Sequence, residues 1–245
     1  MMKKNIFIVL VLVFFINACS GDSETVANSG DGTGGSLAIF ALKGNYLYTV
    51  DNEKLNVFSL INQEQPVKVN DIYVGFDIET LFSNDDYLYV GSRNGMFIYS
   101  IVNPEAPVLL SNVQHLTACD PVISNGTHSF VTLHSNTTCG NNINLLEVYD
   151  TTDATNPILL HSRNLSFPKG LGLYNNFLFV CDDVIKIFDI STPENPILVH
   201  SLDKLCYDVI IKNNDLFAIG DNGMTRYLLD ENDITNVVLK SELSY

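Results

Sequence analysis

The residue types in this chain that could do chemistry are carboxylates and thiols. Glu79, Asp120 and Asp208 take the same place in three copies of a recurring pattern of apolar runs and polar turns, aligned on the first turn of each copy. The other two copies carry Ile39 and Gly170 there. Side chains at one place in a ring of repeats face a common centre. Three carboxylates gathered there would repel, so at least one would keep its proton, or the group would hold a cation of the calcium type. Two of them at suitable spacing could act as acid and nucleophile in hydrolysis. Each could instead accept bonds from backbone N–H groups of the next repeat or face channel water. The residue types leave these readings open.

Four cysteines follow Cys19: Cys119, Cys139, Cys181 and Cys206. Four thiols allow three pairings, and an oxidising compartment would permit them to form. No Cys-x-x-Cys spacing supports a zinc site. His161 and His200 each lie four residues after a proline, where Asn70 and Ser111 stand in other copies, so repetition rotates them apart and they share no metal. The chain has no Gly-x-Ser-x-Gly elbow, phosphate loop or HExxH motif.

The elements that must position these groups are repeats. Gln65-Pro66, Ala106-Pro107, Asn156-Pro157 and Asn195-Pro196 are spaced by 41, 50 and 39 residues, each with an aromatic eight positions before its proline: Phe58, Tyr99, Tyr149 and Phe188. Alternating pairs such as Tyr46-Leu47-Tyr48 and Phe177-Leu178-Phe179 precede them. A fifth copy ends the chain, where Gly223-Met224-Thr225-Arg226-Tyr227 matches Gly95-Met96-Phe97-Ile98-Tyr99. Period-two alternation calls for strands, and in the second copy these are predicted at about 78–82, 87–91, 96–101 and 108–113. Asn94-Gly95 suits a tight hairpin turn with positive φ at both central residues. Four strands per repeat of roughly 42 residues is the pattern of a β-propeller, here all-β with five four-stranded blades; an open β-sandwich is the rival architecture. In a propeller, the start of a blade's first strand and the turn after its second lie on one face. That favours Cys119 with Cys139 and Cys181 with Cys206. A closed loop of about 20 residues would add roughly 3 kcal/mol.

Leu146-Glu147-Val148-Tyr149-Asp150, and Ile185-Lys186-Ile187-Phe188-Asp189 with the following Ile190-Ser191-Thr192-Pro193-Glu194-Asn195-Pro196, resemble the LVIVD repeat. The resemblance covers nearly all of the chain after its first 35 residues. It implies a bacterial or archaeal cell-surface propeller, commonly a lipoprotein, and no established activity. Ser59, Ser100 and Leu228 depart from the repeat's aspartate.

The amino terminus reads as an address. Lys3 and Lys4 precede eleven consecutive apolar residues, Ile6 to Ile16, and Ile16-Asn17-Ala18-Cys19 resembles a bacterial lipobox. The expected organisation is a signal peptide over 1–18, a lipidated Cys19 with a Gly/Ser-rich tether over 19–35, and the propeller over 36–245. Asp and Glu number 28 against 13 Lys and Arg, a formal charge of −15, which argues against nucleic acid as a partner. Together these features predict a monomer held to the outer membrane by lipid and exposed at the cell surface. It would act as a non-catalytic binding or scaffold module for an envelope protein or a glycan. The channel mouth and the long turn Ser135–Asn142 are the expected contact surface. The competing expectation is a glycan-acting hydrolase using Glu79, Asp120 and Asp208; the chain has no tryptophan to stack on sugars. No cofactor is expected beyond the calcium-type ion.

Overall fold

The computed structural model describes residues 35–114, 121–134 and 143–245. Cys19, Cys119, Asp120, Cys139 and the turn Ser135–Asn142 lie outside the described residues. The described residues form twenty strands and no helix, arranged as five antiparallel four-stranded sheets. Blade 1 comprises β1 (Phe40–Lys43), β2 (Tyr46–Val50), β3 (Lys54–Ser59) and β4 (Val67–Tyr73). Blade 2 comprises β5 (Ile78–Asn84), β6 (Tyr87–Ser92), β7 (Gly95–Ser100) and β8 (Val108–Gln114). Blade 3 holds β9 (Val122–Ser124), β10 (His128–Leu133), β11 (Leu145–Asp150) and β12 (Ile158–Asn164). Blade 4 holds β13 (Leu171–Tyr174), β14 (Phe177–Cys181), β15 (Ile185–Asp189) and β16 (Ile197–Leu202). Blade 5 holds β17 (Asp208–Lys212), β18 (Asp215–Gly220), β19 (Gly223–Leu228) and β20 (Val238–Ser244). This is a five-bladed β-propeller, as the repeats predict.

Within each blade the strands pair in chain order, so every blade is a meander of consecutive strands. The alternation that predicts strands also sorts the side chains. Leu88 and Val90 of β6 pack towards blade 1, while Tyr89 packs towards blade 3, all fully buried. Outer strands lack that burial, and β20 is exposed along its whole length.

Turn chemistry explains the period. Gly44, Asp85, Asn175 and Asn213 take φ near 50° in the first turns of their blades, a backbone that Gly, Asn and Asp adopt at little cost. The Asn94-Gly95 expectation does not hold. Ser92 pairs with Gly95, so Arg93 and Asn94 fill the turn and Gly95 opens β7 with φ of 149°. Glycine is needed there because a Cβ would lie 2.1 Å from the carbonyl oxygen of Val113 in the outer strand. Gly223 repeats the arrangement against Leu243.

Each third-to-fourth turn is built on side-chain caps. Asp150 and Asp189 accept the N–H two residues on, from Thr152 at 2.9 Å and Ser191 at 2.8 Å. These bonds hold both carboxyls below the usual range. Ser59 and Ser100 make the same bond more weakly, at 3.5 and 3.4 Å. In blade 5, which carries two extra turn residues, Asp230 makes it instead, to Asn232. The departures from the repeat's aspartate therefore keep its cap by other means.

Candidate functional site

Asp208 opens the inner strand of blade 5, and its side chain is buried in the channel. Its Oδ1 accepts the Ser36 hydroxyl at 3.2 Å and the Val209 N–H at 2.9 Å; its Oδ2 accepts the Leu37 N–H at 3.4 Å. Burial pushes the carboxyl up to about 6, and these donors oppose the rise. The segment that Asp208 holds, Gly35–Ala38, lies inside the channel with Gly35 and Ser36 buried. Two glycines make room for the carboxylate. A Cβ on Gly35 would lie 2.2 Å from Oδ2, and a Cβ on Gly170 would lie 2.2 Å from Oδ1. The Gly170-Leu171-Gly172 pair is thus close packing against blade 5.

The pairing register places the other ring candidates differently. Asp208 stands opposite Ile219, Gly170 opposite Cys181, and Ile39 opposite Val50. In blade 2 the residue at that level is Thr80, opposite Gly91, while Glu79 sits in an irregularity between Ile78 and Thr80. In blade 3 it is Pro121, whose carbonyl takes the Thr132 N–H. In blades 2 and 3 the first turn begins one residue later than a count from sequence assumes, at Asp85 and Gly126, and the ring level shifts with it. Glu79 is half-buried, and Asp120 lies outside the described residues. Among the described residues, no group of three His, Cys, Asp or Glu side chains gathers to hold a metal ion. Below the bound segment the channel leaves a pit of about 280 Å³, walled by Phe82, Ile123, Leu171 and Val209 and rimmed by Asn84 and Asn125.

On the face where first strands begin, Cys181 and Cys206 form a disulfide that joins blade 4 to blade 5. Beside it opens a cleft of about 510 Å³. Phe167 and Lys169 line one side, with the Lys169 ammonium 5.1 Å from the centre of the Phe167 ring. Tyr207, Asp221, Met224 and Glu242 line the other. Glu242 pairs with Lys204 at 2.9 Å. Asp182 shapes the cleft from beneath. Its buried carboxylate accepts the Ser166 N–H at 3.1 Å, the Phe167 N–H, and Lys186 Nζ at 2.5 Å. Sequence reasoning left Asp182 without a role, because only the pairing of β14 with β15 brings Lys186 back against it.

His161 and His200, equivalent in their repeats, lie on different blades as the repeats predict, and His161 bonds across a seam. His161 donates from Nδ1 to the carbonyl of Glu194 in blade 4 at 3.0 Å. At the same place in their repeats, Asn70 donates to the Glu105 carbonyl in blade 2 and Ser111 to the Ala154 carbonyl in blade 3. One position thus latches blade 1 to blade 2, blade 2 to blade 3 and blade 3 to blade 4. His200 holds the matching position beside Asp233 of blade 5, whose carboxyl is held below the usual range chiefly by the Thr235 hydroxyl and N–H.

The LVIVD repeat matches residues 83–115 and 169–204, the bulk of blade 2 and all four strands of blade 4. The chain is thus a five-bladed β-propeller that carries LVIVD repeats. No curated protein matches the sequence of this LVIVD propeller. Its fold is similar to that of solved structures. One is the periplasmic gluconolactonase PpgL of Pseudomonas aeruginosa, with 12% identity and a TM-score of 0.64 over 82% of this chain and 68% of that one. Another is a protein from Lactobacillus plantarum, with 10% identity and a TM-score of 0.67 over 81% and 67%. A third is BamB from Moraxella catarrhalis, with 11% identity and a TM-score of 0.55 over 74% and 54%. At these identities the likeness is one of fold alone.

Proposed function

We propose that this LVIVD propeller is a lipid-anchored binding module of the bacterial outer membrane, exposed at the cell surface. It engages an envelope protein or a glycan as a monomer and carries out no reaction. The observation that carries this reading is the solvent-open cleft beside Cys181–Cys206, whose lining mixes an aromatic ring, a lysine and carboxylates without gathering a reactive group. A few convergent polar groups beside apolar surface suit recognition. Asp208, the one ring carboxylate described as buried, is occupied by Ser36 and Leu37, which leaves it poorly placed to serve as a nucleophile or proton donor. The lipobox-like Ile16-Asn17-Ala18-Cys19 supports the anchor.

Two measurements test the reading. Replacing Cys19 with alanine should move the full chain from membrane to soluble fractions; continued membrane association would refute the anchor. The unlipidated chain should then bind an immobilised glycan or a purified envelope protein, and Lys169→Ala or Asp221→Ala should weaken that binding with the melting temperature unchanged. Release of reducing sugar from a bound glycan would instead establish the hydrolase.

A further inference from the structure

Among the described residues, buried apolar side chains form three clusters. One spans blades 1 and 2, one spans blades 2 to 4, and one spans blades 4 and 5. None joins blade 5 to blade 1. Residues facing that seam are more exposed than their counterparts elsewhere. Phe40 of β1 is 47% exposed, whereas Leu81 and Leu171 at the same level of blades 2 and 4 are buried. Phe217 and Arg226 of blade 5 are half-buried, whereas Tyr89 and Ile98, their matches in blade 2, are fully buried. Arg226 is also charged where the matching blade has isoleucine, and it is held by Asp215 through bonds of 2.9 and 3.0 Å. Apolar burial therefore does little to hold this seam.

The segment Gly35–Ala38 crosses it. The Gly35 carbonyl takes the Ala38 N–H at 3.0 Å, closing a turn inside the channel, and the Ala38 carbonyl takes the Leu81 N–H of blade 2 at 2.7 Å. From that turn Ser36 reaches two further blades. Its hydroxyl accepts the Leu171 N–H of blade 4 at 2.6 Å and donates to Asp208 of blade 5. Four residues continuous with blade 1 thus bond to blades 2, 4 and 5, and Ser36, Leu81, Leu171 and Asp208 among these partners are buried. Buried hydrogen bonds of this kind are costly to leave unmade.

We propose that Gly35–Ala38 is a strap that closes the ring, and that the seam between blades 5 and 1 opens when the strap is released. Opening uncovers the apolar faces of blades 1 and 5, so the state of the strap sets whether that surface is available.

Amide hydrogen exchange on the full chain carrying Cys19→Ala tests this, with Ser36→Ala and Asp208→Ala compared against that parent. The expected result is exchange at least ten-fold faster in β1, β2, β18 and β19, with β14 and β15 unchanged. Unchanged protection at the seam in a folded variant overturns the proposal. Equal acceleration in all five blades also overturns it, because it assigns Asp208 and Ser36 to global stability alone. Should Asp208→Ala fail to fold, Ser36→Ala, which removes a single hydroxyl, decides by the same criterion.

Discussion

Asp208 accepts a hydrogen bond from Ser36, a residue 172 positions earlier in the chain, at 3.2 Å. The pair brings the start of the propeller against the inner strand of its last blade. Neither partner is exposed, and the serine's second bond, from the Leu171 N–H, leaves little freedom in how it is placed.

The buried carboxylate gives a pH dependence of defined sign. Its pKa in the fold, about 6, lies above the ordinary 3.8, so the folded chain binds a proton that the unfolded chain releases between those values. This contribution to stability is fully present below about pH 4 and is lost as pH rises through about 6, amounting to about 3 kcal/mol. Asp208→Asn keeps an acceptor for Ser36 without the charge. Urea unfolding of both proteins from pH 4 to 8 should show the mutant gaining on the wild type as pH rises; a constant difference would contradict the assignment.

Gly170→Ala should destabilise the fold by roughly 1–3 kcal/mol, the usual range for overpacking. The added carbon would meet Asp208 Oδ1 at 2.2 Å and the Tyr207 carbonyl oxygen at 2.7 Å, and backbone cannot step aside. Gly172→Ala is the control. Its nearest atom is the side-chain Cγ2 of Val209 at 3.0 Å, so a smaller loss is expected from the same denaturation experiment.

Removing the Cys181–Cys206 bridge by a double serine substitution releases a loop of 25 residues. Chain entropy sets the cost at about 3–4 kcal/mol. Calorimetry should show a lower melting temperature with blade 4 and blade 5 no longer unfolding together, and an unchanged melting temperature would argue against a bridge in solution.

Asp182→Ala would strip the Ser166 and Phe167 N–H groups of their acceptor and leave Lys186, with a side chain 17% exposed, facing Asp183 alone. Loss of one partner from a buried pair typically costs about 3 kcal/mol or more. Proteolysis should then cut first near residues 165–168, which that carboxylate holds in place.

The inter-blade latches should behave additively. Asn70→Ala, Ser111→Ala and His161→Ala each remove one bond at a different seam, so each should cost about 1 kcal/mol, and the triple mutant about the sum. A large deviation from additivity in chemical denaturation would mean that the seams communicate.

The repeat, its four strands and the count of five blades were legible in the chain because they depend on local chemistry. Alternation sorts side chains to two faces of a sheet, and Asn, Asp, Gly and Pro end strands at fixed intervals. The Cys181–Cys206 pairing was legible too, since repetition alone says which ends of strands share a face. The carboxylate ring was less so. A first turn that begins at Asp85, one residue later than the polar run Asn84-Asp85-Asp86 suggests, moves Glu79 out of that level in blade 2 and Thr80 into it, and hydrogen-bond register, unlike composition, is settled only when strands pair. Ser36 gave no warning at all, because a serine in a Gly/Ser-rich stretch reads as solvated linker. Its place in the channel rests on contacts with Asp208 and Leu171, residues more than a hundred positions away, which exist only once the blades have closed around it.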